Sequence, residues 1–158
     1  MAWVVDTCVI LDVLENDARH GRASAVCLAK RLSAGLLLSP VSFVELAPAF
    51  LGDRTLQTGF LTRMGVSFSE PWRWDDTLAA HRAWMRCIEM KRGGRVAKRP
   101  IADILIGAFA LRFEGLITRN TVVPRVTACA ARSYPVDPVH PVKKHGVDRC
   151  AGAAERKR

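Results

Sequence analysis

Four short apolar runs, separated by segments of helical periodicity, predict an α/β fold with a mostly parallel sheet covered on both faces. The runs are Val4-Val5, Leu36-Leu37-Leu38, Val66-Ser67-Phe68 and Gly115-Leu116-Ile117-Thr118. A hydrophobic fraction of 49% and a charged fraction of 25% give the ordinary globular balance. A chain of 158 residues fits one domain, and at that size roughly 68–70% of the unfolded surface can be buried without covalent staples.

Each element has local grounds. The first run begins near Trp3 and stops at Asp6, after which Cys8 to Leu14 takes helical spacing and Glu15-Asn16-Asp17 forms a polar exit. Ala23, Val26, Cys27, Ala29 and Leu32 predict a helix over 18–34, ended by Gly35. The Leu36–Leu38 run is too short for a core helix and stops at Ser39-Pro40. Ser42-Phe43-Val44-Glu45 has the form of a capping box, opening a helix that runs to about Leu51. Gly52-Asp53 breaks it, Thr55 to Met64 predicts another helix, and Gly65 leads into the third strand. After the Glu70–Trp74 loop, Asp75 or Asp76 caps a helix over 77–90, with Leu78, His81, Trp84, Met85 and Ile88 on or near one face.

Five of the nine residues from Lys91 to Arg99 are basic. Pro100 restarts a helix at the position where its missing N–H costs nothing. Ile101 to Phe113 is apolar nearly all round apart from Asp103, the mark of a buried helix. The fourth strand ends at Arg119-Asn120. A short helix over 126–132 and a weak strand at Tyr134-Pro135-Val136 close the domain, taken as residues 1–138; residues 139–158 read as a basic, mobile tail.

Several function classes are set aside by this pattern. The five cysteines are scattered with no pair two apart, which gives neither a zinc framework nor a disulfide scaffold. No glycine-rich phosphate loop follows a strand, against dinucleotide or ATP binding. No apolar run approaches the ~20 residues of a membrane span, and the N-terminus lacks a leader pattern, so the expectation is a cytoplasmic protein without a membrane partner. Twenty-four Lys and Arg against fifteen Asp and Glu give a net charge of +9, which favours a polyanionic partner.

Three acids stand out by position: Asp6 at the end of the first strand, Glu45 after the second, and Asp103 early in the buried helix. Asn120 follows the fourth strand as Asp6 follows the first. Each has a local alternative, since Asp caps helices, Glu45 fits the capping box, and Asn makes turns. A charged carboxylate among Ile101, Ala102, Ile104 and Leu105 is nevertheless unfavourable without a partner. Lys98 or Arg99 is one candidate. If the strand ends bring the three acids together, a hard divalent cation relieves their repulsion, and Mg²⁺ or Mn²⁺ suits carboxylates with an amide oxygen.

Val4-Val5-Asp6-Thr7, Ser42-Phe43-Val44-Glu45-Leu46, Arg99-Pro100-Ile101-Ala102-Asp103-Ile104-Leu105-Ile106-Gly107-Ala108 and Leu116-Ile117-Thr118-Arg119-Asn120 resemble the four motifs of a PIN domain, and more closely those of the VapC-type ribonuclease toxins of toxin–antitoxin pairs. The resemblance covers roughly residues 2–138. It implies a three-layer α/β/α sandwich, Mg²⁺-dependent cleavage of RNA, a homodimer, and inhibition by a small cognate antitoxin. It also implies that Asp6, Glu45, Asp103 and Asn120 are the catalytic and metal-site positions. The fourth of these is often acidic in the family, whereas here it is Asn120, followed by Thr121-Val122-Val123-Pro124.

For RNA, Lys91, Arg92, Arg95, Lys98, Arg99 and Arg119 are the candidate phosphate contacts, a solvated loop being the competing reading of the first five. Thr7 and Thr118 would bond the carboxylates or a phosphate, or else nearby backbone. Trp72 and Trp74 would stack on bases or pack on helices. His140 and His145 are a weak metal pair at odd spacing. Asn120 keeps open an alternative function, a PIN-like module that binds RNA or protein without cutting.

Overall fold

The computed structural model describes the backbone of residues 2–92, 101–120 and 132–135, and the side chains of 2–90 and 101–120. Strands β1 (Trp3–Val5), β2 (Leu36–Leu38), β3 (Val66–Ser67), β4 (Gly115–Thr118) and β5 (Arg132–Pro135) form one sheet. The helices are α1 (Thr7–Leu14), α2 (Gly21–Ala29), α3 (Pro40–Glu45), α4 (Arg54–Arg63), α5 (Trp74–Arg92) and α6 (Ile101–Ala110), with 3₁₀ turns at Leu32–Ala34 and Ala47–Phe50. The strand order is β3-β2-β1-β4-β5, and every pairing is parallel. From β1 the chain winds outward through β2 and β3, then crosses to build β4 and β5 on the opposite side. Such a reversal opens a crevice at the carboxyl ends of the two central strands, here β1 and β4.

Strand alternation sorts the core into two faces. Val4 is in register with Leu37 and Leu116, and these residues pack with Ile106, Phe109 and Ala110 of α6. Val5, in register with Leu38 and Ile117, points the other way, against Val9, Ile10 and Leu28 of α1 and α2, and Leu61 of α4. Helix α5 lies on α6, its Ala79, Ala80, Ala83 and Cys87 meeting Ile104 and Ala108. Small side chains on that face let the helices approach. The architecture is the expected α/β/α arrangement.

Several boundaries differ from expectation. Helix α2 starts at Gly21 rather than Ala18 because Asp17 Oδ1 accepts the backbone N–H groups of Arg19 and His20 in a turn. Helix α3 starts at Pro40 under an Ser39 cap, whose hydroxyl accepts the Ser42 N–H at 2.9 Å. Glu45 therefore closes α3 instead of sitting in its first turn, and the Ser42–Glu45 capping box does not form. The segment up to Phe50 is a separate 3₁₀ turn. Helix α5 starts at Trp74, and Asp76 reaches back to the Arg73 N–H at 2.8 Å. Its buried face is the alanine face, leaving His81, Leu78 and Met85 exposed, because α6 covers the small residues. Ile101 is also exposed, so α6 is apolar all round without being buried all round. The helix expected over 126–132 lies outside the described residues except for Arg132, which opens β5, and the tail over 139–158 lies wholly outside them.

Among the described residues no helix is long and apolar enough to cross a membrane.

Candidate functional site

The crevice between β1 and β4 holds the predicted acids. Asp6, Glu45, Asp103 and Asn120 line one open cavity of about 400 Å³, together with Thr7, Cys8 and Leu11. Asp6 is delivered by β1, and its backbone N–H donates to Ile117 O at 3.0 Å, locking the β1 end to β4. It occupies the N-cap position of α1, but its side chain makes no capping bond. Instead its Oδ2 accepts the Thr118 hydroxyl and, at 3.4 Å, the Cys8 thiol. Asp6 is 4% exposed, so its orientation is fixed by these donors rather than by water.

Glu45 reaches the cavity from the end of α3, where the buried Thr7 hydroxyl donates to its Oε2 at 2.6 Å. Asp103 comes from the first turn of α6, and the Asn120 amide donates to its Oδ2 at 2.8 Å. Both threonine hydroxyls thus serve carboxylates, the first of the two roles open to them, and Thr118 Oγ1 also accepts the Asn120 N–H at 2.8 Å.

No ion pair to Asp6, Glu45 or Asp103 occurs among the described residues. Burial pushes the Asp103 carboxyl above the usual carboxylate range, the Asp6 charge adds to the rise, the Asn120 hydrogen bond opposes it, and Glu45 adds a little more. Burial, followed by the charge of Asp6, pushes the Cys8 thiol up to about 11, so it stands in the cavity wall as a neutral thiol at pH 7. Three carboxylates and an amide around one cavity, with their hydroxyl partners turned to them, form an oxygen donor set that suits a hard divalent cation.

Other candidates fall elsewhere. Arg119 Nη2 pairs with Asp12 Oδ1 at 3.0 Å and its Nη1 meets His20 Nδ1 at 3.2 Å, so its half-buried guanidinium is turned to Asp12 and His20. Trp72 stacks on Phe109 at 6.3 Å and donates through Nε1 to Thr77, which makes it a packing residue, whereas Trp74 is exposed. The side chains of Lys91, Arg92, Arg95, Lys98 and Arg99, and the His140 and His145 pair, lie outside the described residues.

Sequence reasoning passed over one cluster. Asp12, Asp17 and His20 place potential ligand atoms within 4.8 Å of one another. These oxygens are already in use: Asp12 takes Arg119 and the Ser24 hydroxyl, and Asp17 Oδ1 takes two backbone N–H groups. Any cation there competes with a guanidinium. The available signal was Asp12 itself, an acid set between Leu11 and Val13.

The parallel three-layer α/β/α arrangement, with its strand order reversing between β1 and β4, is a PIN-like fold. No protein-family model and no curated protein sequence matches the chain. Solved structures do. A chain in the crystal structure of VapBC2 from Rickettsia felis bound to a DNA fragment from the promoter superposes with a TM-score of 0.61 at 14% identity, covering 84% of this chain and 98% of that one. VapBC-1 from nontypeable Haemophilus influenzae gives 0.59 at 19% identity, covering 85% and 98%. FitAcB from Neisseria gonorrhoeae gives 0.55 at 16%, covering 82% and 95%. The fold is accordingly the VapC-like PIN fold that the sequence motifs resemble.

Proposed function

We propose that the protein is a Mg²⁺-dependent endoribonuclease, the toxin of a toxin–antitoxin pair, hydrolysing RNA phosphodiester bonds until a small cognate antitoxin inhibits it. The observation that carries this reading is the convergence of Asp6, Glu45, Asp103 and Asn120 on one open cavity. Asp6 and Asp103 are the residues that would hold the ion, with Glu45 and Asn120 completing its surroundings. Bound there, a divalent ion supplies Lewis acidity and lowers the pKa of a coordinated water. Thr118 keeps an Asp6 oxygen turned to the cavity, Thr7 holds Glu45 where it can orient a water or accept its proton, and Asn120 keeps Asp103 in place. The net charge of +9 suits an RNA substrate.

The likeness to chains crystallised as VapBC and FitAB complexes supports a protein partner of the antitoxin kind. A homodimer belongs to the same reading. The expected location is the cytoplasm, with residues 1–138 as the nuclease domain and 139–158 as a basic appendage.

Purified protein incubated with structured RNAs should cleave them with Mg²⁺ or Mn²⁺ and not with EDTA, and Asp6→Asn and Asp103→Asn should each abolish cleavage. Cleavage that survives both substitutions would overturn the site. Binding of RNA without cleavage would favour the alternative, a catalytically inactive PIN-like module, for which Asn120 in place of an acid is the specific support.

A further inference from the structure

Asp12 and Arg119 take no part in the chemistry above, yet they join the segments that carry it. Asp12 lies on α1 just after Asp6 and is 2% exposed. Its Oδ1 receives Arg119 Nη2 at 3.0 Å and its Oδ2 receives the Ser24 hydroxyl of α2 at 2.6 Å. Arg119 stands between Thr118, whose hydroxyl holds Asp6, and Asn120, whose amide holds Asp103. Its own backbone N–H bonds the Cys8 sulfur in the cavity wall, and its Nη1 meets His20 Nδ1.

A charge pair with one partner buried and the other one-third exposed, as Asp12 and Arg119 are, adds little net stability. What this one supplies is a fixed position. One end is anchored on α1 and α2, and the other fixes the backbone on which both donors to the acid pair are mounted. We propose that Asp12 and Arg119 are a positioning pair for the acid site, holding Thr118 and Asn120 against Asp6 and Asp103. The inference rests on the reading of that site as the metal-binding centre.

The test measures Mn²⁺ binding to purified full-length protein by electron paramagnetic resonance, without RNA. Arg119→Gln should weaken binding by about 10–100-fold, the usual effect of losing a residue that orients metal ligands, and Ser24→Ala should weaken it less while leaving the protein folded. Arg119→Gln that binds Mn²⁺ like the parent overturns the proposal. So does one that binds it more tightly, because Asp12, Asp17 and His20 would then be the ligands freed from their guanidinium. The double variant Asp12→Leu/Arg119→Met should recover the melting temperature without recovering Mn²⁺ affinity; recovery of both overturns the proposal.

A second readout needs no metal. In Asp12→Asn the Asn120 side-chain amide, followed by ¹⁵N NMR, should exchange faster, and an unchanged amide overturns the positioning role by itself. Mn²⁺ binding that is absent from the parent, or indifferent to Asp6→Asn and Asp103→Asn, overturns the acid-site reading instead, and the Asn120 amide then decides the pair alone.

Discussion

Burial and the neighbouring Asp6 make ionised Asp103 costly in the absence of a cation. A carboxyl raised in the folded state contributes stability below its unfolded pKa and loses that contribution as pH rises through its folded value. Asp17 and Glu70 are lowered, by backbone N–H bonds and by Arg112 respectively, and act in the opposite sense. The informative quantity is therefore the difference between Asp103→Asn and the parent. In EDTA the variant should melt above the parent by a margin that widens as pH rises from about 4, the ordinary Asp value, and added Mg²⁺ should stabilise the parent only. Melting curves across a pH series check both. At the same scale, Thr118→Val removes the hydroxyl from Asp6 and should lower kcat by about 10–100-fold, measured in single-turnover cleavage. The acids were legible because charge in apolar company needs a reason. Asp12 was not singled out, because no spacing rule links it to an arginine that follows the fourth strand.

Elements were legible as existing and less so at their edges. Ser39-Pro40 was read as a strand end, although Ser before Pro is equally a cap followed by a first-turn residue, and the Ser42–Glu45 spacing matched a motif that the start at Pro40 forbids. Ser39→Ala should cost about 1 kcal/mol by loss of the cap, read as a shifted denaturation midpoint. The start of α2 depends on close approach to α1: a Cβ on Gly21 would lie 2.9 Å from Asp12 O and 3.2 Å from the Asn16 carbonyl carbon, both backbone atoms. Gly21→Ala should accordingly cost about 1–3 kcal/mol, measured by urea unfolding. The buried face of α5 is not the face that carries Leu78, His81 and Met85. The packed face carries alanines, since Ile104 and Leu105 of α6 bring the bulk.

For the whole molecule, the alternation of strands and helices announced a parallel sheet, but not its order, because these short runs carry no pairing code. Pairing emerges only when Val4 and Val5 are seen to serve opposite faces. Long-range side-chain ties were equally hidden. Arg112, after α6, bonds Asp76 through Nε at 2.7 Å, Glu70 through Nη1 at 2.7 Å and Pro71 O through Nη2 at 2.9 Å, so it clamps the start of α5 to the end of α6. Arg112→Ala leaves the buried Asp76 uncompensated and should cost about 3–5 kcal/mol. Urea unfolding of the whole chain is the measurement, and Mg²⁺ affinity should change little in whatever fraction remains folded.

The position of β1 has a consequence for synthesis. The strand is made first, yet one of its flanking partners is β4, and Asp6 is secured to Ile117 and Thr118. A ribosome extending the chain at about 5–20 residues per second releases Asp6 and Glu45 well before it releases the residues that orient them. A nascent chain therefore carries acids without a centre. The full set of Asp6, Glu45, Asp103 and Asn120 exists only when translation has passed Asn120.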